Sequence, residues 1–311
     1  MSDAFDPVQL RDSLRPFAEA APESSSAQAY RRFYGVDFPQ NAVQVRLGTV
    51  PAAGFQLAVQ AWWPAQPKAT LLLLHGYYDH MGLYKHVIRW ALEMGFVVLA
   101  CDLPGHGLST GEPASIDDFA DYHATFEALL TTAGSLNLPQ PWHQCGQSTG
   151  GGVLVEYLLN GPPRSELGET ILFAPLVRPR GWARARFAYH LLRHFTKAIA
   201  RGFYANSSDA AFVAFIEHND PLQAKTLPVA WVGALAKWVP RVEGAPRSAR
   251  RPLIIQGDND LTVDWRHNLQ VLQDKFAQPE VLLLPGGRHQ LVNEAPALRQ
   301  RYWDFLTARL G

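Results

Sequence analysis

Five short runs of unbroken apolar residues punctuate the chain, at 71–74, 96–101, 171–174, 253–255 and 281–284. Runs of this length that are apolar at every position suit strands covered on both faces. Between them lie longer stretches with helical periodicity, roughly 83–94, 116–133, 149–159, 264–276 and 295–310. Strands alternating with helices predict βα units around a mostly parallel sheet. Residues 43–50 and 55–63 alternate apolar and polar side chains more regularly, as a half-exposed antiparallel hairpin at the start of the sheet would. One strand is assigned only from its downstream neighbour: Trp142-His143-Gln144-Cys145 is hardly aliphatic, but a sharp glycine-flanked turn comes next.

Two segments break the alternation. Residues 1–40 are rich in Ala, Pro and Ser with scattered aromatics, which predicts a helix and an extended lead-in packed on the outside. Residues 177–251 hold three or four helical stretches and no strand-like run. A connection that long cannot be a plain crossover in a compact domain, and it reads as a helical cap inserted over the strand ends, between the sixth and seventh core strands. The chain thus divides into an N-terminal extension (1–40), a core (41–176 and 252–311) and a cap (177–251).

Composition narrows the function classes. The 311 residues are 47% hydrophobic and 18% charged with a formal net charge of zero, so nothing global recruits nucleic acid or an anionic membrane. Cys101 and Cys145 fall within or at the end of apparent core strands. They read as buried thiols, lacking the spacing of a metal site or a disulfide framework. The opening residues are acidic and carry no apolar core, so no signal peptide is expected. No apolar run approaches the ~20 residues of a membrane span. A cytoplasmic protein is the resulting expectation.

The chemistry begins at Gly146-Gln147-Ser148-Thr149-Gly150. A serine hydroxyl becomes a useful nucleophile only on an exposed bend with a base beside it and backbone N–H groups nearby. Glycines two residues either side remove the Cβ atoms that would clash in so tight a strand-to-helix turn. Alone the pattern is weak, since about one chain in ten of this length would carry it by accident at average composition. Parallel sheets bind ligands at the carboxyl ends of their strands, so the polar residues after each apolar run matter. They are His75-Gly76-Tyr77-Tyr78-Asp79-His80, then Asp102 to Ser109, then Gly257-Asp258-Asn259-Asp260, and finally Gly286-Gly287-Arg288-His289. A serine, an acid and a histidine therefore occur at strand ends in the order Ser148, Asp260, His289.

These residues resemble the lysophospholipase or monoacylglycerol-lipase-like branch of the α/β-hydrolases, from about Leu71 to the end of the chain. The resemblance rests on Asp102-x-Pro104-Gly105-His106-Gly107-x-Ser109, on Ile116-Asp117-Asp118-Phe119, on the serine turn, on His75-Gly76, and on the spacings that lead to Asp260 and His289. It implies an α/β-hydrolase fold with a helical cap and the chain order Ser, acid, His that such enzymes use. It implies Ser148 as nucleophile, His289 as general base and then acid, and Asp260 as the group that orients the imidazole. Asp258 and Asp264 are rivals for the acid; the family pattern favours the third residue past Gly257, and Asp264 suits a helix cap. The backbone N–H groups of Tyr77 and Thr149 would form the oxyanion hole, with Tyr78 and His75 as substrate-binding residues. Relatives usually carry a glycine where Tyr78 stands and often a methionine where Thr149 stands, so two tyrosines bear on pocket shape.

The activity implied is hydrolysis of carboxylic esters, monoacylglycerol or lysophospholipid-like, through an acyl-enzyme and without a cofactor. A thioesterase or a small-peptide hydrolase would use the same triad, and a non-catalytic binding protein could keep the fold. The histidines and acid of residues 75–80 lack the first His-x-His pair of a metallo-hydrolase, so no metal is expected. Asp102, His106, Trp142 and Cys145 read as structural. In the cap, Arg178, Arg180, Arg184, Arg186, Arg193, Lys197 and Arg201 interleave with Trp182, Phe187, Leu191, Leu192, Phe195 and Phe203. That pattern predicts a helix with its apolar face over the site and a basic face in solvent, or an entrance that attracts anionic or interfacial lipid.

Overall fold

The computed structural model describes residues 5–19, 22–39 and 43–311. Eight strands form the central sheet: β1 (Gln44–Ala52), β2 (Phe55–Trp63), β3 (Ala69–Leu74), β4 (Phe96–Cys101), β5 (Trp142–Gln147), β6 (Leu167–Phe173), β9 (Leu253–Gly257) and β10 (Glu280–Leu284). Their order is β1-β2-β4-β3-β5-β6-β9-β10. The hairpin β1–β2 and the β2–β4 pair are antiparallel; every pairing from β4 to β10 is parallel. Register brings Leu74 opposite both Cys101 and Gly146, and Leu284 opposite Gly257, so the carboxyl ends of these strands open onto one edge.

The apolar strands are buried on both faces because alternate side chains feed two cores. Leu72, Leu74, Val97 and Leu99 pack with α4 (Ala120–Ser135), α5 (Thr149–Asn160) and α9 (Trp265–Lys275). Leu71, Leu73, Val98 and Ala100 pack on the other side with α3 (Lys85–Glu93) and α10 (Pro296–Leu310). The hardly aliphatic β5 is nonetheless central and wholly buried. Each of its polar side chains has a partner where it lies: Thr170 Oγ donates to Gln144 at 2.6 Å, Glu169 N–H donates to His143 Nδ1 at 3.0 Å, and Gln147 Nε2 donates to the His289 carbonyl at 2.9 Å, although Gln147 Oε1 is left without one.

Two expectations from the sequence need correction. The N-terminal segment forms two helices, α1 (Pro7–Ser13) and α2 (Ser25–Tyr34), and it is not merely laid on the outside. Leu10, Tyr30, Tyr34, Val36 and Phe38 are buried in the same core as α3 and α10, and the Trp62 indole donates to the Val36 carbonyl at 2.9 Å. Its aromatics, scattered in sequence, supply the apolar area that anchors it. Between β6 and β9 the chain holds α6 (Trp182–Leu192), α7 (Ala210–His218) and α8 (Val229–Gly244), but also two short antiparallel strands, β7 (Ala198–Ala200) and β8 (Thr226–Pro228). Three-residue strands give too little periodicity to be seen in sequence. Among the described residues no helix is long and apolar enough to cross a membrane.

Candidate active site

Ser148 sits between β5 and α5 with φ 52° and ψ −110°, a backbone conformation that L residues adopt only under constraint. The constraint is packing. A methyl group on Gly150 would lie 2.5 Å from the Leu74 carbonyl oxygen, and one on Gly146 would lie 2.5 Å from the Gly150 carbonyl carbon. The serine turn can therefore press against β3 only with glycine at both places. Ser148 N–H donates to Phe173 O at 2.8 Å, and its carbonyl accepts from Gly152 and Leu176, which fixes the bend from both sides.

Three side chains distant in sequence meet there. The Ser148 Oγ to His289 Nε2 distance is 2.9 Å and the His289 Nδ1 to Asp260 Oδ2 distance is 2.7 Å. A carboxylate only accepts, so the Nδ1 carries the imidazole proton and Nε2 is left free to accept from the serine hydroxyl. Asp260 also accepts from the Thr262 and Val263 N–H groups at 2.8 and 3.1 Å and from Gln256 Nε2 at 3.2 Å. Burial pushes the Asp260 carboxyl up, but the neighbouring His289 and these donors outweigh it and hold the carboxyl below its ordinary range. Ser148, Asp260 and His289 are 7, 3 and 5% exposed, so the cluster is covered in this conformation. The rival acids are elsewhere: Asp258 accepts from Gly286 N–H at 2.7 Å, and Asp264 pairs with Arg178 at 2.6 Å. Asp264 stands at the N-cap position of α9 but makes no side-chain capping bond; its Oδ2 accepts from both Nε and Nη2 of Arg178.

The turn after β3 lies against the serine. A methyl group on Gly76 would come 3.3 Å from Ser148 Cβ. The backbone N–H groups of Tyr77 and Thr149 donate to no acceptor among the described residues. Both tyrosine rings are committed. Tyr77 stacks on Trp231 of α8 at 3.8 Å and donates its hydroxyl to Ala114 O at 2.7 Å. Tyr78, with a left-handed φ of 69°, lies under the Arg201 guanidinium at 3.8 Å from its ring centroid. His75 departs from the expectation that it binds substrate. It is 1% exposed, and both ring nitrogens are used on backbone: Leu103 N–H donates to Nε2 at 2.8 Å, and Nδ1 lies 2.7 Å from Gly76 O. Its ring braces the 75–76 turn against the 102–108 loop.

The surrounding acids and histidines also have structural partners. Asp102 accepts from Met81 and Leu108 N–H groups at 2.7 Å each, and the His106 ring bonds Pro104 O at 2.9 Å. Asp79, His80 and His75 point to different partners, and among the described residues no group of three His, Cys, Asp or Glu could hold a metal ion. His80 Nε2 lies 3.0 Å from Asp220 Oδ2, both side chains fully buried, and Tyr34 donates its hydroxyl to Asp220 at 2.7 Å. This pair joins the core turn, the α7–β8 loop and the N-terminal helix. Burial pushes the Asp220 carboxyl up, but His80 and the hydroxyl and amide donors pull it down to about 2. Burial opposes charge on His80, yet Asp220, Asp102 and Asp79 together raise its pKa. A second tie runs from the segment after β7 to the histidine loop: Gln290 N–H donates to Asn206 O at 2.7 Å, and Ser208 N–H donates to Glu294 at 2.7 Å.

Sequence reasoning placed Asp79 and His80 at a strand end without giving them a role, and missed Asp220, Tyr84 and Gln290 as neighbours of the site. The adjacency of Gln290 to His289 was the one visible signal; the others meet only through the fold. The cap helix also differs from expectation. In α6 only Trp182 is buried, while Phe187 and Leu191, and Phe195 just beyond the helix, are 69, 53 and 84% exposed. Phe187 and Leu191 stand in solvent, and it is α8 that packs on the core there, through Trp231, Leu235 and Trp238.

The family model described as serine aminopeptidase, S33, matches residues 65–296. A monoacylglycerol lipase of Mycolicibacterium smegmatis is 26% identical over 256 residues, covering 78% of this chain and 88% of that protein. Human monoglyceride lipase is 27% identical over 259 residues, covering 79% and 84%. Among solved structures, a soluble variant of the Saccharomyces cerevisiae monoglyceride lipase in complex with a substrate analog superposes with a TM-score of 0.71 at 19% identity, covering 85% of this chain and 94% of that one. The Paleococcus ferrophilus monoacylglycerol lipase gives 0.68 at 16% identity, covering 84% and 98%.

Proposed function

The chain belongs to the serine aminopeptidase S33 family, and we propose that within it the protein is a serine hydrolase of carboxylic esters that acts on monoacylglycerol-like substrates. The observation that carries this reading is the unbroken hydrogen-bonded line from Ser148 through His289 to Asp260. Ser148 Oγ attacks the acyl carbonyl carbon while His289 Nε2 takes its proton. The same nitrogen then returns that proton to the departing alcohol as the ester C–O bond breaks. Water repeats the sequence on the acyl-enzyme and frees the acid. Asp260 stabilises the imidazolium and fixes the tautomer. The N–H groups of Tyr77 and Thr149 receive the oxyanion, supported by their lack of any other acceptor among the described residues and by the closeness of Gly76 to the serine. No step needs a cofactor.

The same reading takes residues 177–251 as a cap on a core of 41–176 and 252–311, with 1–40 as an extension. The exposed Phe187, Leu191 and Phe195 lie among exposed Arg184, Arg186, Arg193 and Lys197, which suits contact with an anionic lipid interface. The names of the curated relatives support a monoacylglycerol substrate over a peptide. The test is a panel of monoacylglycerols graded by chain length, set beside lysophospholipids, acyl thioesters and an aminoacyl anilide. Highest kcat/KM on a monoacylglycerol is expected. Faster turnover of the anilide or thioester would replace the substrate assignment and leave the triad standing.

A further inference from the structure

The turn that carries the Tyr77 N–H is braced by side chains that the reaction itself does not use. Asp79 N–H donates to Gly76 O at 3.1 Å and closes the turn through the backbone. Gly76 N–H donates to the Tyr84 hydroxyl at 2.8 Å, and that hydroxyl lies 2.8 Å from Asp79 Oδ2. A phenol has one proton, so a hydroxyl that accepts from Gly76 gives its proton to Asp79, and the direction of the chain is fixed. Gln290 Nε2 donates to the same Oδ2 at 2.7 Å, which ties the turn to the residue after His289. Tyr84 is fully buried at the start of α3, and Asp79 is buried as well. Within the turn Tyr78 holds a φ of 69°, a strained conformation for a tyrosine that the surroundings must enforce.

We propose that Asp79 and Tyr84 are positioning residues: together with Gln290 they hold both sides of the Gly76 peptide, and so aim the Tyr77 N–H at the developing oxyanion and keep the His289 loop in register with it. The proposal rests on the reading of Tyr77 as an oxyanion donor. An oxyanion donor acts through geometry, and losing one costs on the order of 10²–10³ in rate. A brace that lets the donor drift should cost a part of that. Without Tyr84 the Gly76 N–H also loses its acceptor in a buried place, so the turn has reason to re-form differently. Because Tyr84 and Gln290 both reach one oxygen, an asparagine with its carbonyl oxygen there can accept both bonds. The acceptor, not the charge, is what positions.

The experiment compares Tyr84→Phe, Asp79→Ala and Asp79→Asn with wild type on a short soluble p-nitrophenyl ester. It measures kcat, KM, thermal melting and the affinity of an alkyl boronic acid, which becomes tetrahedral on a nucleophilic serine. Tyr84→Phe and Asp79→Ala should lower kcat by roughly 10–100-fold with KM within about twofold, and weaken the boronic acid by a matching factor. Asp79→Asn should restore most of what the alanine removes. Wild-type kcat in folded Tyr84→Phe would overturn the proposal. So would an asparagine variant as slow as the alanine, or variants whose melting falls while kcat per folded molecule and boronic acid affinity hold. The functional reading fails separately: wild-type hydrolysis that survives Ser148→Ala would remove it, whatever Tyr84 and Asp79 do.

Discussion

The strand-end loops of the core and the segment from Arg178 to Pro228 meet at one site, but they are built on opposite plans. In the core loops the functional side chains are buried and each has a defined partner: serine to imidazole, imidazole to carboxylate, carboxylate to two backbone amides. In the inserted segment Phe187 and Leu191 of α6 are exposed, the strands are three residues long, and attachment to the core joins a small apolar set, Trp182, Ile216 and the half-buried Phe215, to a series of polar ties. Those ties include Arg178–Asp264, Arg201 on the Tyr78 ring, His80–Asp220–Tyr34 and the contacts of residues 206–208 with 290–294. The difference separates two physical tasks. Chemistry needs atoms held to a fraction of an ångström, which strand ends and tight turns supply. Access to a covered serine needs an element whose contacts can be exchanged at modest cost.

The largest expected effects fall on the core side. Ser148→Ala and His289→Ala should each lower kcat/KM by on the order of 10⁴-fold or more, and the double substitution should cost little beyond either one, because the residues act as a unit. Asp260→Asn should cost about 10³–10⁴-fold while leaving the fold intact, since it gives the imidazole the wrong tautomer. Steady-state kinetics with a circular dichroism control checks all of these. Additive losses in the double variant would show that the two side chains do not cooperate, and the contrast between the regions would lose its catalytic half.

A middle-sized effect belongs to the tie between them. Breaking a buried ion pair by removing one partner costs about 3 kcal/mol, so Asp220→Asn should lower the melting temperature clearly. The pH dependence has a definite sign. Asp220 is held down to about 2, so its contribution is present above the ordinary carboxylate range and is lost as pH falls toward that value. His80 is raised, so its contribution is present below the ordinary imidazole range and fades as pH rises through its elevated pKa. Thermal melts should therefore show the wild-type advantage over Asp220→Asn greatest in mildly acidic solution and shrinking toward alkaline pH. A difference independent of pH would mean that hydrogen bonding alone makes the tie.

The smallest effect on stability belongs to the exposed residues of α6 and the turn after it. Phe187→Ser together with Phe195→Ser should shift stability by less than about 0.5 kcal/mol and leave turnover of a soluble ester unchanged. The fraction bound to anionic vesicles in a flotation assay should drop. Unchanged vesicle binding would remove the lipid-facing role from this surface.

The legibility of the chain divides along the same boundary. The βα alternation can be read because strands covered on both faces are apolar at every position, as in β3 and β4. The serine turn, Asp260 and His289 can be read because each stands at a strand end with glycine nearby, where backbone geometry dictates residue type. β5 is visible only by its turn, since its burial relies on partners for Gln144 and His143 that lie on the neighbouring strand. His75 misleads because strand-end position does not say whether a ring turns outward or braces the next loop. The N-terminal helices, the Asp220 tie and the outward apolar face of α6 depend on contacts far apart in sequence, which no local period encodes.

The most direct test of the central claim is mass spectrometry after reaction with a fluorophosphonate, with ester hydrolysis measured in parallel. The account predicts one adduct per chain on the peptide containing Ser148, formed in step with loss of activity, and none in Ser148→Ala. A wild-type protein that hydrolyses esters while its adduct forms on another residue, or that keeps full activity once Ser148 is modified, would contradict it.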